Sequence, residues 1–488
     1  VSAALAAGYA VAFLGCVTAR LTFGFELSWL ESGMQAMTDR LAGHLSIYVA
    51  PTPSYVPFIY PPFFFVVSRG LSALLPSLGD FVPMRLVSVV ATFATAVVIF
   101  ATLGRRRRLT ARHRVLLTLL LFAFYGRFEF WHDTSRVDSL FVALSFAATA
   151  LLIEGRGACT AAAAGCLGGL AALTKQPAVP FLLAAGAIVA TAQGNPRRAV
   201  LVLGTAVLAA TAVLAAIGEL GNPWLYYYVV RVPATHRILP SRLLASAGFL
   251  IGTMPLFVLV GARELWHRRV SAVGDGRSSE VRRSWILTFA AWTLIVFLLR
   301  LKQGASLNFF LPLVPTGITA VAVALEDLGT PGESLLVVQF LILLYNPLAA
   351  VPTTADWRAG FQFLDVLKNI PGEIFLPQFP AYLRMVGKPS VAHGIAVCDL
   401  GALRPDLAAL IRRQIDQGRY SAAFPWAAEA SDDPEGRRCR PQSFALPSHV
   451  VGNVPRGGTF FTAGHHAALG EIDQFDLRSA ASQGRERR

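Results

Sequence analysis

Charge is what this chain lacks. Only 15% of its 488 residues are Asp, Glu, Lys or Arg, while 54% are hydrophobic; soluble domains carry about a quarter charged residues. Missing too are metal-ligand spacings such as H-E-x-x-H or paired C-x-x-C, which argues against a zinc hydrolase. No G-x-x-x-x-G-K-[ST] run cradles a nucleotide, which argues against a nucleotide-driven machine. Cysteine is sparse, with five residues. Cys16, Cys159 and Cys166 fall in apolar runs and read as packing residues. Cys398 and Cys439 remain for a disulfide in an oxidising compartment, and sequence separation alone does not decide whether they join.

Apolar length is plentiful. Mean hydropathy is +0.53, and apolar runs of bilayer-crossing length recur through the first 352 residues. The pattern is that of an all-α polytopic membrane protein. The first run has no basic leader and no small-residue exit, so it reads as a retained helix. The formal charge of +14 sits largely in short clusters between apolar runs. It therefore reads as membrane orientation, and no nucleic-acid partner is expected.

Residues 62–75 are too short to cross, contain Arg69 and end at Pro76, so they read as an interfacial helix. With that segment left out, GRRRRLTARHR at 104–114, NPRR at 195–198 and the basic loop at 263–283 all fall on the cytoplasmic side. Eleven spans result, near 2–23, 83–104, 115–130, 137–153, 159–174, 177–193, 199–220, 243–262, 284–300, 308–325 and 334–351. The N-terminus is then cytoplasmic. Residues 1–352 form the membrane domain, 353–475 a small exported domain of α/β or mixed type, and 476–488 a polar tail expected to be disordered.

Acids and bases gather on the outer face, while span interiors hold almost none. The first outer loop carries Glu26, Glu31 and the run SYVPFIYPPFFF with Tyr60; the second carries His132, Asp133, Arg136 and Asp138. Lys175 lies on a tight turn, Arg231, His236 and Arg237 on the fourth loop, and Lys302 and Asn308 on the fifth. Each has a bland reading. Ser28-x-x-Glu31 is a capping-box pattern, and Leu30, Met34, Met37 and Leu41 then form one apolar helix face. Glu26 lies off that face and is the weaker acid of the two. Asp138 would complement a helix dipole, and Lys175 could snorkel.

WLESGM after the first span, IYPPFF before the second, RVDSL opening a helix and LTKQP at a helix pair occur in that order. Together they resemble the GT-C fold membrane glycosyltransferases, nearest to the protein O-mannosyltransferases, the lipid A aminoarabinose transferases and the RgtA/B/C/D-like enzymes. The resemblance covers about residues 1–350. It implies a polyprenyl-phosphate sugar donor, an acidic residue of the first outer loop in catalysis and further outer groups on the donor phosphate. On that pattern Glu31, Asp138 and Glu26 are the catalytic candidates, and Lys175, Arg231, His236 and Arg237 the phosphate contacts. Tyr60, His132, Asp133, Arg136, Lys302 and Asn308 would line the substrate. Many relatives have an Asp-Glu pair where this chain has Leu30-Glu31, and Lys or His where it has Tyr60. Some use a divalent cation, toward which Glu26, Glu31 and Asp138 could contribute.

The implied chemistry is consistent with these residue types. A lipid phosphate leaves readily, so the enzyme needs a carboxylate to take the acceptor proton and cations around the departing phosphate. Direct displacement would invert the anomeric centre. The acceptor stays open between a glycan, a lipid and a protein. The rival readings are a lipid-linked sugar transporter and a non-catalytic envelope-assembly protein. Few mid-span charges and no paired broken-helix signal count against the transporter.

Overall fold

A computed structural model describes residues 1–106, 109–270, 277–325 and 330–423. Cys439, the segment 424–475 and the tail at 476–488 lie outside the described residues, so the Cys398–Cys439 pairing does too.

The chain is predominantly helical and has a multi-pass membrane architecture. Among the described residues four helices are long and apolar enough to cross a bilayer: α1 (Ser2–Leu21), α4 (Val82–Gly104), α9 (Pro196–Ala216) and, over Ser279–Arg300, α12 (Arg277–Arg300). Between the first two lie α2 (Glu31–Ala42) and α3 (Phe63–Leu74). Helix α3 has only 12 residues, too short to cross a bilayer. Helices α5 (Ala111–Ala123), α6 (Asp138–Glu154), α7 (Ala158–Ala172) and α8 (Ala178–Ala192) are shorter. Helices α7 and α9 approach closely because Gly165 and Gly169 carry no Cβ; one at either position would strike the α9 backbone.

Three expected straight spans differ. The run at 243–262 is broken into α10 (Arg242–Thr253) and α11 (Pro255–Val270), bent by 95°. Pro255 pushes the preceding Met254 out of the helical region, to φ −128 and ψ 40. Gln339 repairs the break: its Nε2 donates to Thr253 O at 2.7 Å and its Oε1 accepts from Leu256 N at 3.3 Å. The last expected span is α14 (Thr330–Ile342), followed by a 48° bend at Asn346-Pro347. Between these bent pairs runs α13 (Leu313–Leu325). The run at 115–130 stops at Ala123 and continues as two 3-10 turns, with Glu129 and Phe130 left-handed at φ 54 and 57. By length and composition the described helices supply four crossings, or six if each bent pair is one span.

The helical bundle has two chemically different ends. At one, Arg106 pairs with Glu154, Arg282 with Glu264 at 2.9 Å, and Arg198 donates to Leu151 O at 2.8 Å. At the other, α1 ends, α4 and α6 begin, and the α7–α8 turn sits. Onto this second end packs the region after residue 352. It contains α15 (Thr354–Asn369), β1 (Glu373–Phe375), α16 (Pro380–Met385), α17 (Gly394–Leu400), α18 (Pro405–Asp416) and β2 (Tyr420–Ala423). The two strands pair in parallel. Helix α15 opens on a capping box between Thr353 and Asp356.

The capping box expected at Ser28–Glu31 does not form: Leu30 is the N-cap and makes no side-chain cap. Arg136 takes the Ser28 hydroxyl at 3.2 Å instead, and the Glu31 carboxylate accepts Leu27 N at 2.8 Å. The expected apolar face is present, with Leu30, Met34 and Met37 buried.

Candidate functional site

Asp138 is the first residue of α6 and only 1% exposed. Its Oδ1 accepts from Lys175 Nζ at 2.6 Å and Asn308 Nδ2 at 2.8 Å, and its Oδ2 from Arg136 Nε at 3.1 Å. Two buried cations thus face one carboxylate, leaving one positive charge in excess. Ring faces meet part of it: Arg136 lies 4.0 Å from the Trp131 centroid and 5.6 Å from that of Trp29, and Lys175 lies 4.5 Å from that of Phe309. Burial holds the Lys175 ammonium below its ordinary range, with Asp138 opposing that shift. Asn308 keeps a buried Oδ1 without a hydrogen-bond partner.

Glu31 is equally buried but fully occupied. Arg85 of α4 grips both oxygens, Nε to Oε1 at 3.1 Å and Nη2 to Oε2 at 2.6 Å. Backbone N–H groups of Leu27 and Ser135 add bonds at 2.8 Å each. Burial alone would raise this acid; the Arg85 charge and these donors hold it below the ordinary carboxylate range. The free end of Arg85 ties down the carbonyls of Arg20, Phe23 and Phe25. Glu31 therefore bolts the segment after α1 to α4 and to the loop before α6.

Glu26 is the opposite case. Its Oε1 accepts from Ser32 Oγ, while its Oε2 is buried without a partner. Burial first, and then the neighbouring Glu31 charge, push its carboxyl well above the ordinary range; Arg85 and Ser32 pull the other way. The weaker candidate by sequence is thus the acid with an open lone pair.

The remaining candidates separate into groups. Asp133 joins Arg20 of α1, at 2.8 and 3.1 Å, and takes the Tyr125 hydroxyl at 2.8 Å, so its oxygens serve a buried clamp. His132 is buried against the Tyr125 and Phe128 rings with both ring nitrogens unpartnered. Burial pushes its imidazole down to about 4 against the pull of Asp138. Tyr60 is half-buried; its carbonyl accepts the Tyr48 hydroxyl at 2.6 Å, and Arg136 and Asp138 are charges its phenol feels. Arg231 and Arg237 are exposed, and His236 faces Asp399 at 3.5 Å. Lys302 reaches Pro233 O at 3.4 Å. None of these last four hydrogen-bonds to Asp138.

Arg20, Arg85, Ser32 and Tyr382 escaped sequence reasoning. The two arginines did carry a signal, since a lone arginine at the end of an apolar span needs a buried partner. A divalent cation does not fit the residues as they stand. Arg85 occupies Glu31, Lys175 and Arg136 occupy Asp138, and among the described residues no three His, Cys, Asp or Glu could hold one ion.

Solved structures share this architecture. ArnT from Cupriavidus metallidurans bound to undecaprenyl phosphate is 14% identical with a TM-score of 0.51, over 83% of this chain and 74% of that one. The apo state of the same protein is 16% identical with a TM-score of 0.50 over the same shares. No family model and no curated protein sequence matches the chain. At these identities the likeness is one of fold, and that fold is the GT-C type.

Proposed function

We propose that the chain is a membrane glycosyltransferase that moves a sugar from a polyprenyl-phosphate donor to an acceptor hydroxyl. The observation that carries this reading is the buried excess of positive charge at Asp138. Buried charge is costly unless matched, and Lys175 with Arg136 outnumber their one carboxylate. A lipid phosphate arriving at the bundle end would supply the missing negative charge. The GT-C fold, with undecaprenyl phosphate bound in one structure of that fold, supports the donor class.

In this reading Lys175 and Arg136 hold the phosphate, and Asn308 and Asp138 keep them aimed. Arg231, His236, Arg237 and Lys302 on the neighbouring loops extend the cationic surface, with Tyr60 and His132 against the sugar. The acceptor oxygen forms a bond to the anomeric carbon as the carbon–phosphate oxygen bond breaks. The electron pair leaves with polyprenyl phosphate, and the acceptor proton passes to a carboxylate. Glu26 is that base, because an acid raised above its ordinary range and holding a free lone pair is the better proton acceptor. Glu31 and Asp133 hold the loops. In-line displacement inverts the anomeric centre.

The site lies on the outer face of the plasma membrane, with the N-terminus cytoplasmic and the region from 353 exported. The basic loops at the opposite bundle end support that orientation. The test is release of free polyprenyl phosphate in nanodiscs from a panel of polyprenyl-phosphate sugars. Wild type should turn over with at least one donor, and Lys175→Met and Glu26→Gln should not. Lipid binding without turnover by any donor would favour a transporter.

A further inference from the structure

The region after residue 352 reaches the acid loop itself. Ala381 N donates to Ser32 Oγ at 3.2 Å, and that hydroxyl donates to Glu26 Oε1. The adjacent Tyr382 accepts the Glu26 backbone N–H on its phenol oxygen at 2.9 Å. Both ends of Glu26 are thus held from α16, a helix that begins 354 positions later in the sequence. The helix is itself fixed on two sides. Tyr382 is buried among the rings of Phe25, Phe363 and Phe379, at centroid distances of 5.9, 6.1 and 5.4 Å. Arg384 reaches Asp39 at 3.3 Å and Asp80 at 2.9 Å, one on α2 and one on the loop before α4.

We propose that α16 belongs to the reaction centre: Ala381 and Tyr382 are positioning residues that, through Ser32 and the Glu26 backbone, leave Glu26 Oε2 as the one carboxyl oxygen with no hydrogen-bond partner of its own. The proposal deepens the reading of Glu26 as base and rests on it. The geometry accounts for an otherwise odd arrangement, a buried carboxyl with one oxygen tied and one bare. The groups that face Glu26 are few. Helix α2 contributes Glu31 and Ser32, α4 contributes Arg85, and α16 contributes Tyr382. Ser32 and Arg85 favour the charged form, whereas burial and Glu31 oppose it. Removing the Ser32 hydroxyl therefore raises the pH at which Glu26 ionises.

The experiment uses the full chain in nanodiscs as wild type, Ser32→Ala, Ser32→Thr and Tyr382→Phe, with two readouts. One is the pH profile of polyprenyl-phosphate release. The other is the infrared carboxyl band that Glu26→Gln removes, followed against pH without any substrate. Ser32→Ala should move both the acid limb and the band titration upward by about one unit, a tenfold change in the ionised fraction. Ser32→Thr should return both toward wild type. Tyr382→Phe should lower kcat with little change in donor KM and shift the band frequency. A band that titrates identically in wild type, Ser32→Ala and Tyr382→Phe overturns the positioning role. A band that moves in an enzyme inert toward every donor supports the positioning role and instead defeats the reading of Glu26 as base.

Discussion

Lys175 Nζ lies 2.6 Å from Asp138 Oδ1, closing the α7–α8 turn onto the first residue of α6. Neither group has appreciable access to water, so each depends on the other for its charge. Asp138→Asn strands two buried cations and should cost about 3–5 kcal/mol of stability. Adding Lys175→Met removes one of the two stranded charges, Arg136 keeping the other, so the double variant should melt above Asp138→Asn alone in nanodiscs. A double variant that melts no higher would mean the two charges are not coupled.

The Arg85–Glu31 pair makes a different prediction. Either Glu31→Gln or Arg85→Met should destabilise by about 3–5 kcal/mol, and the double variant by clearly less than their sum. The pH dependence follows from the lowered Glu31 carboxyl. A depressed acid contributes stability above its unfolded value, about 4.3, and that contribution is lost as pH falls through the folded value. Acid unfolding should therefore be shallower in Glu31→Gln than in wild type. Equal acid slopes would remove Glu31 from the linkage.

Glutamine matches the shape of Glu26 and its amide oxygen can accept the same bond from Ser32, while it cannot take up a proton. Glu26→Gln should change unfolding free energy by less than about 1 kcal/mol, while turnover falls by about two to four orders of magnitude. Thermal unfolding and product release, measured on one preparation, separate the two effects. Retained turnover would pass the role of base to another group.

His393 joins the region after residue 352 to the loop after α1. Its Nδ1 accepts from Ile395 N at 3.2 Å, which leaves Nε2 as the protonated nitrogen donating to Trp29 O at 2.9 Å. Burial pushes this imidazole down to about 4. A lowered histidine contributes stability above its unfolded value, about 6.5, and loses it as pH drops from there toward the folded value. Hydrogen exchange over residues 377–400 should therefore quicken between pH 6.5 and 4, and His393→Phe should flatten that trend. Because His132 shifts the same way, the readout must be local to that segment.

The fold was legible where length alone decides. Apolar runs placed α1, α4, α9 and α12, and the shortness of 62–75 is matched by the 12 residues of α3. Breaks were harder. Pro255 stood in plain view inside 243–262, yet whether a proline kinks or ends a helix depends on who satisfies the freed backbone, and Gln339 lies 84 positions away. The early stop of α5 had less to announce it: Gly126 lets the Tyr345 ring sit against the backbone, a contact no local pattern shows. At the site, Lys175 and Asp138 could be named from their types and flanks. How Glu26 and Glu31 are partnered could not, because it depends on Arg85 and Tyr382, which the chain brings in from elsewhere. The capping pattern at Ser28 misled for a related reason: a distant arginine claimed the hydroxyl.

Gln339 has a consequence for how the chain is made. In hydrocarbon an unsatisfied backbone group costs several kcal/mol, and the Thr253 carbonyl and Leu256 amide are partnered by this one side chain. During synthesis, α10 and α11 leave the ribosome well before residue 339 exists. Until then the 95° elbow has no partner for its exposed groups, and the segment is better off straight. The elbow is therefore set late, when α14 arrives, and a nascent chain cut short of residue 339 should thread α10–α11 as one unbent helix.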